Sequence, residues 1–485
     1  MSGVFRYASI WFALIGVVIG LCALIGGEGG IEVDNLILAC IILQISVTLF
    51  FAVRLKNWSI NQTEGCILLV LLWVVLPLPI SIFIMQSTEL SFIDSYFEAT
   101  SALTTTGATI LTAYENLPNS VLFMRAISQW LGGLLTLVGV FSIMAPAGVG
   151  GLPHKNMSSI SRKKKGGKPK QRAVSHKIIV SYIVLSVSCF VLLCASQVPI
   201  IDSLLMTFST VSSGGFIYSN VPIYEIGSAL TPLVLIVFMI LAGSSIIWQG
   251  YILSMREDLI KRHRETYYYG AAIVVLGLVF AFTFFDRAGS ASVLTPVDAL
   301  VEGFFTAASL ISTTGYEIRN SSFSVLPATL VIMIVLVGGC SFSTAGGISF
   351  YRVGAMLAHS FKDLKKLVYP SSVHRSHFGT HTYEAGLMKA IWTFFFLVTA
   401  TTMIGALFLA LRLESFEAAL IASIAAFSNI GAFYATGWNE TGQWIAFKDM
   451  DGVAKLALCA LMVLGRLHIL ALLIAFNQTY WLRSR

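Results

Sequence analysis

The sequence predicts an all-α polytopic membrane protein: four tandem span–pore-helix–loop–span repeats around a central pore, plus two leading transmembrane helices. Three observations predict it. Of 485 residues, 56% are hydrophobic and only 11% charged, with mean hydropathy +0.82; soluble domains carry roughly 25% charged residues. Apolar runs of bilayer-crossing length recur along the whole chain. Between them lie shorter apolar segments that end in Ser/Thr/Gly-rich stretches. An ordinary soluble enzyme, a disordered regulator and a secreted disulfide scaffold are all excluded by the first of these.

Crossing the hydrocarbon core takes about 20 apolar residues at about 1.5 Å each. Ten runs qualify: 8–26, 36–55, 66–86, 120–147, 177–198, 229–253, 268–286, 325–358, 386–411 and 453–476. The first reads as a retained anchor rather than a removed signal peptide, because no clear small-residue cleavage site follows it. The seven cysteines lie mostly inside these runs without metal-ligand spacing and read as small buried apolar residues. Basic residues crowd 154–177, 254–266 and 352–389 and close the chain at Trp-Leu-Arg-Ser-Arg. With ten spans these segments share one side, which the positive-inside rule makes cytoplasmic, so both termini are expected there. The organisation that follows is 1–60, two extra helices; 61–153, repeat 1; 154–176, a basic cytoplasmic loop; 177–266, repeat 2; 267–360, repeat 3; 361–384, a cytoplasmic loop; and 385–485, repeat 4.

The shorter segments superimpose. Their tails read Thr104-Thr105-Thr106-Gly107-Ala108, Val211-Ser212-Ser213-Gly214-Gly215, Ser312-Thr313-Thr314-Gly315-Tyr316 and Ser428-Asn429-Ile430-Gly431-Ala432, at near-equal intervals. Upstream of each stands an acid, Asp94, Asp202, Glu302 or Glu417, where a short helix would begin; a carboxylate suits a helix N-terminus. Four copies in one chain can surround one axis, with the partly negative C-termini of the short helices aimed at it. A ring of main-chain carbonyls can replace the hydration shell of a potassium ion, and glycine lets the backbone turn its carbonyl inward. Irregular backbone at membrane depth is tolerated where it is buried or lines water.

At these residues the chain resembles the TrkH/TrkG/KtrB superfamily of potassium-translocating subunits, in its TrkH branch, over almost its whole length. The most specific pieces are 104–109, 312–316, 338–347, Phe427-Ser428-Asn429-Ile430-Gly431 and Gly465-Arg466-Leu467. The resemblance implies filter glycines at Gly107, Gly214, Gly315 and Gly431, a homodimer, and a TrkA-like cytoplasmic nucleotide-binding regulatory subunit. It also implies residence in the bacterial inner membrane. The expected ion ligands are Thr105, Thr106, Gly107 and Ala108; Ser212, Ser213, Gly214 and Gly215; Thr313, Thr314, Gly315 and Tyr316; and Asn429, Ile430, Gly431 and Ala432. Potassium is the expected cargo, with no covalently bound cofactor; membrane lipid is an expected partner and nucleic acid is not. The chain departs from the family pattern at Ala432-Phe433-Tyr434, at Ser212-Ser213 and in span Leu134–Ala147.

Two gate elements stand out below the expected filter. Arg466 lies inside the last span, where a charge costs at least about 2.5–3.5 kcal/mol unless it faces a cavity or a partner. It reads as a fixed positive barrier to cations or as a structural arginine on backbone carbonyls. Span 8 is interrupted by Gly338, Gly339, Cys340, Ser341, Ser343, Thr344, Gly346 and Gly347, weak helix formers. They read as an obstructing flexible loop or as close helix packing.

No nucleotide-hydrolysing P-loop is present, so the chain is not expected to be a primary pump. A sodium- or proton-coupled potassium symporter is the alternative, since broken helices also occur in such transporters. A membrane enzyme is not expected: His374, His377, His381 and Glu384 form the nearest approach to a catalytic cluster, without supporting spacing.

Overall fold

The computed structural model describes residues 2–25, 33–52, 61–111, 114, 117–146, 151, 171–218, 221–253, 263–288, 295–319, 322–369, 377–378, 381–382, 385–435, 444–467 and 469–475. Most of the basic segments 154–177 and 254–266, together with His374, Glu384 and His468, lie outside them. The described residues are helical apart from loops and a two-residue hairpin pairing His377–Phe378 with His381–Thr382.

Seven helices are each long and apolar enough to cross a bilayer: Gly3–Ile25, Val33–Phe51, Gln62–Ser87, Asn119–Met144, Ser175–Ala195, Arg264–Arg287 and Gly386–Ala410. They account for the two leading spans, the first span of every repeat and the second span of repeat 1. The other three predicted spans are each made of two helices. Thr231–Gly243 and Ile246–Ile252 meet at a bend of 110°. Ala328–Val337 and Phe350–Val368 are separated by the glycine-rich segment, and Gly452–Leu467 precedes Leu470–Ala475. Even the uninterrupted Asn119–Met144 loosens into a π-turn over Val140–Met144. Every second span is therefore irregular.

Four half-helices sit between the spans, as expected: Phe92–Leu103, Ile200–Val211, Pro296–Ile311 and Phe416–Phe427. Three of them have twelve residues and the third in chain order sixteen, about 18 and 24 Å, both short of the hydrocarbon thickness. Ser91, Thr295 and Ser415 cap three of them, each side-chain oxygen accepting from a first-turn amide. Asp94, Asp202 and Glu417 stand in the first turn as predicted. Glu302 does not. The third half-helix starts a turn earlier, at a Thr295/Asp298 capping box. Glu302 instead lies on the second turn, where it accepts from Ser322 Oγ at 2.9 Å and faces Arg319 Nε at 3.5 Å.

Packing closes the repeats into a ring. Each half-helix rests on the spans of its own repeat, and the second span of each repeat also packs on the next half-helix, repeat 4 returning to repeat 1. Equivalent joints recur in detail. Tyr182 donates to Trp130 O and Tyr269 to Ile240 O. A Cβ on Gly133 would press on Tyr182 and Ser212, and one on Gly243 on Tyr269 and Ser312. The leading pair packs outside repeat 1. Accordingly 61% of the Gln62–Ser87 window is buried, against 28%, 33% and 28% for the other first spans.

Where Arg264–Ala288 crosses Pro296–Ile311, a Cβ on Gly303 would lie 2.5 Å from both Ala281 N and Gly277 O. Overpacking of this kind costs about 1–3 kcal/mol. Gly303→Val should lower the thermal unfolding midpoint of the purified protein in detergent; an unchanged midpoint would contradict this helix crossing.

Candidate functional site: four loops on one axis

The four half-helices end identically. Main-chain amides of Thr106, Gly214, Thr314 and Ile430 donate to the carbonyls of Ser101, Ser209, Ser309 and Ala425. The preceding amides, of Thr105, Ser213, Thr313 and Asn429, donate to Ala102, Thr210, Leu310 and Ala426. This is the Schellman pattern, whose C′ residue is left-handed and usually glycine. Here it is Thr105 (φ 52°), Ser213 (φ 57°), Thr313 (φ 56°) and Asn429 (φ 55°). The chain thus turns off each half-helix through a strained residue with a polar side chain, and all four are fully buried.

This pattern sets the register between loops. Two residues after each left-handed residue come Gly107, Gly215, Gly315 and Gly431. The first three have φ of 75°, 71° and 80°, whereas Gly214 and Gly431 do not share the positive angle. Gly215, not Gly214, is therefore the structural counterpart of Gly107. Serines confirm it: Ser101, Ser209 and Ser309 Oγ donate to the carbonyls of Ala108, Phe216 and Tyr316, at 2.6, 3.3 and 2.7 Å. In repeat 4 the equivalent residue is Ala425, which has no hydroxyl, and the chain enters a short helix at Ala432–Ala435.

The loops interlock cyclically. A Cβ on Gly107 would collide with Gly214 O, one on Gly215 with Thr314 O, and one on Gly431 with the main chain of Ala108; one on Gly315 would crowd the Ile430 side chain. Gly431 N donates to Thr106 O, and Asn429 Nδ2 donates to Thr106 Oγ1 at 3.0 Å. Loop 1 meets loop 2, loop 2 meets loop 3, loop 3 meets loop 4, and loop 4 returns to loop 1. The sixteen expected ion ligands are thereby brought to one place, with the half-helix C-termini pointing into it.

Both gate candidates lie against the inner rim of this ring. Arg466, 3% exposed, donates from Nε to Thr104 O at 2.7 Å, from Nη1 to Thr344 O at 2.6 Å, and from Nη2 to Thr105 Oγ1. Segment 338–347 runs across the same level. Ser213 Oγ and Thr344 Oγ1 share a hydrogen bond of 2.8 Å, and Gly346 N donates to Thr313 Oγ1 at 2.8 Å. A Cβ on Gly346 would collide with Ser428 O. Four left-handed turns shape the segment, at Gly338, Phe342, Gly347 and Ser349. Cys340 N donates to Gly243 O and Phe342 O accepts from Ile246 N, so its first half is held in the bend of repeat 2. A cavity of about 40 Å³ remains beneath the rim, lined by Thr136, Ser341, Ser343, Arg352 and Arg466 among others.

The sequence reading missed several charged groups here. Glu265, buried at the start of its span, accepts from Ser341 N. Arg352 donates to Ile348 O and stacks on Phe394. Arg125 is buried in the second span of repeat 1 and pairs with Glu98. The signal that exposed Arg466, a charge within an apolar run, also marks Arg125. No group of three or more potential metal-ligating His, Cys, Asp or Glu side chains occurs among the described residues.

The TrkH family profile, described as a cation transport protein, matches residues 35–255 and 270–482. The Trk system potassium uptake protein TrkH of Escherichia coli K12 is 26% identical over 478 residues, covering 96% of this chain and 95% of that one. TrkH of Halomonas elongata is 28% identical over 437 residues, 87% of each. In solved structures the fold matches the potassium transporter TrkH from Vibrio parahaemolyticus with TM-score 0.86 and 24% identity, across 99% of both chains.

Register gives a direct test. At Gly215 a side chain meets main chain in a left-handed conformation, which costs roughly 1–2 kcal/mol before any clash; at Gly214 it meets the movable end of Gln129. Gly215→Ala should destabilise the purified protein more than Gly214→Ala in thermal unfolding, and the reverse order would refute the register.

Proposed function

Because this chain belongs to the TrkH family of cation transport proteins, we propose that it takes up potassium across the bacterial inner membrane through the ring of four loops. The observation that carries the reading is the closed cycle of loop contacts, which gathers four main-chain turns from four repeats at one axis. The relatives named as potassium uptake proteins support the choice of ion. Carbonyls of the loops replace the hydration shell, and the half-helix C-termini add negative potential. The chain is a transporter rather than an enzyme. Its termini and basic loops face the cytoplasm, where a TrkA-like nucleotide-binding subunit controls a homodimer.

The inner rim explains gating. A guanidinium sits on Thr104 O and Thr105 Oγ1, the kind of oxygen pair that would otherwise meet a cation. Thr344 and Gly346 engage the hydroxyls of Ser213 and Thr313. Arg466 and segment 338–347 therefore compete with the permeating ion for its innermost ligands, and this conformation is the closed one. Opening requires both to withdraw. Sodium- or proton-coupled symport would need the site to face each side alternately; conduction in both directions without sodium or a proton gradient would exclude it.

Growth on low potassium of a strain lacking its own uptake systems, with and without a regulatory subunit, tests the activity. In liposomes, Arg466→Ala should raise subunit-independent rubidium flux about tenfold or more, equivalent to about 1.4 kcal/mol. Deletion of 340–345 should raise it as well, and parental flux in both variants would reject this gate. Gly107→Ser and Gly315→Ser should collapse the rubidium-to-sodium flux ratio; correctly inserted variants with the parental ratio would reject the filter.

A further inference from the structure

The outer side of the ring holds, in repeat 1, an ion pair whose two side chains are both fully buried. Glu98, on the first half-helix, and Arg125, on the following span, are both fully buried, with Arg125 Nε 2.8 Å from Glu98 Oε1. In the register set by the left-handed residues, the counterparts of Glu98 are Met206, Thr306 and Ala422. The pair reaches the limb that leaves loop 1. Thr109 Oγ1 donates to Glu98 Oε1 at 2.9 Å and accepts from Arg125 Nη2 at 3.1 Å, and Ile110 N donates to Glu98 Oε2 at 3.1 Å. It also reaches loop 2: the guanidinium lies 4.0 Å from the ring centroid of Phe216, the residue after Gly215. One turn further along the same span, Gln129 Nε2 donates to Gly214 O at 2.8 Å.

Burying two charges costs desolvation that a well-packed apolar pair would avoid, so stability alone is a weak reason for this arrangement. Its geometry supplies a better one. Four charge-assisted contacts converge on the stretch just past Gly107 and on the aromatic just past Gly215, which is the joint where loops 1 and 2 abut. Charge-assisted hydrogen bonds are short and directional, and those to Thr109 and Ile110 hold the stretch they touch.

We propose that the Glu98–Arg125 pair, bridged by Thr109, is a positioning element for ion selectivity that sets the spacing of the outer carbonyls of loops 1 and 2. It touches no ion itself. This rests on the reading of the loops as a filter, and goes beyond it by assigning discrimination to side chains behind the ring. The equivalent positions of the other three repeats, Met206, Thr306 and Ala422, carry no carboxylate, so this constraint is one-sided.

The test is the potassium-to-sodium permeability ratio of purified protein in liposomes, read from bi-ionic potentials, together with total potassium flux. Two variants are used. Glu98→Gln combined with Arg125→Met removes both charges at similar volume, and Thr109→Val keeps the pair but removes the hydroxyl that bridges its two members to the limb leaving loop 1. The double variant should retain flux while its ratio falls about tenfold, as expected when a preference between two ions is lost; Thr109→Val should shift the ratio in the same direction by less. A purely structural pair would lower yield and flux and leave the ratio alone. An unchanged ratio in either folded variant overturns the proposal, and Thr109→Val decides if the double variant fails to fold. Gly315→Ser runs in parallel. If it collapses the ratio while the pair variants do not, only this inference falls; if it too keeps the parental ratio, the filter reading falls.

Discussion

Four backbone turns occupy one small buried volume, and the rest of the molecule is arranged to let them. Unpaired main-chain groups at membrane depth cost several kcal/mol each unless something satisfies them. Each turn meets this demand first with its own half-helix, through the two Schellman hydrogen bonds, and then with its neighbour or with the span behind it. The glycines follow from the same constraint. Gly107, Gly215 and Gly431 stand where the next loop's main chain comes too close for a Cβ, and Gly315 where the Ile430 side chain crowds it. Small residues on the spans, Gly132 and Gly133 in repeat 1, Gly243 in repeat 2 and Gly465 in repeat 4, let the outer layer approach closely enough to hold the turns in place.

The same accounting connects filter and gate. Oxygens on the inner rim that are not used within the loops are used by Arg466, Thr344 and the amide of Gly346. In the gate proposed above, withdrawal of these groups would free the same oxygens for a cation. The breaks in the second spans serve this arrangement. The bend after Gly243 receives the amide of Cys340 and donates from Ile246 to Phe342, which lets repeat 2 carry the segment contributed by repeat 3.

Much of this was legible in the sequence. Span positions followed from run length and hydropathy, and the half-helices from segments too short to cross. The glycine loops followed from their recurrence, and Arg466 from its place among leucines. What could not be read has physical reasons. Loop 2 carries adjacent glycines, and residue types alone aligned Gly214 with the other loop glycines, one residue off the structural register. Only the left-handed Ser213 and the Ser209 hydrogen bond select Gly215. The left-handed positions themselves were hidden because they carry Thr, Ser, Thr and Asn where glycine is expected. Glu302 looked like a helix-start acid because the extra turn at Pro296 could not be anticipated. Partners distant in sequence, such as Glu98 with Arg125 and Glu265 with Ser341, are set by packing and leave no local pattern.

The central claim is that the four loops jointly coordinate a dehydrated alkali ion. The most direct measurement is the anomalous scattering of rubidium or thallium in crystals of the protein grown with that ion. The account predicts peaks on the axis enclosed by residues 104–107, 212–215, 312–315 and 428–431. Well-ordered loops with no axial peak, and ions bound elsewhere in the membrane region, would contradict it.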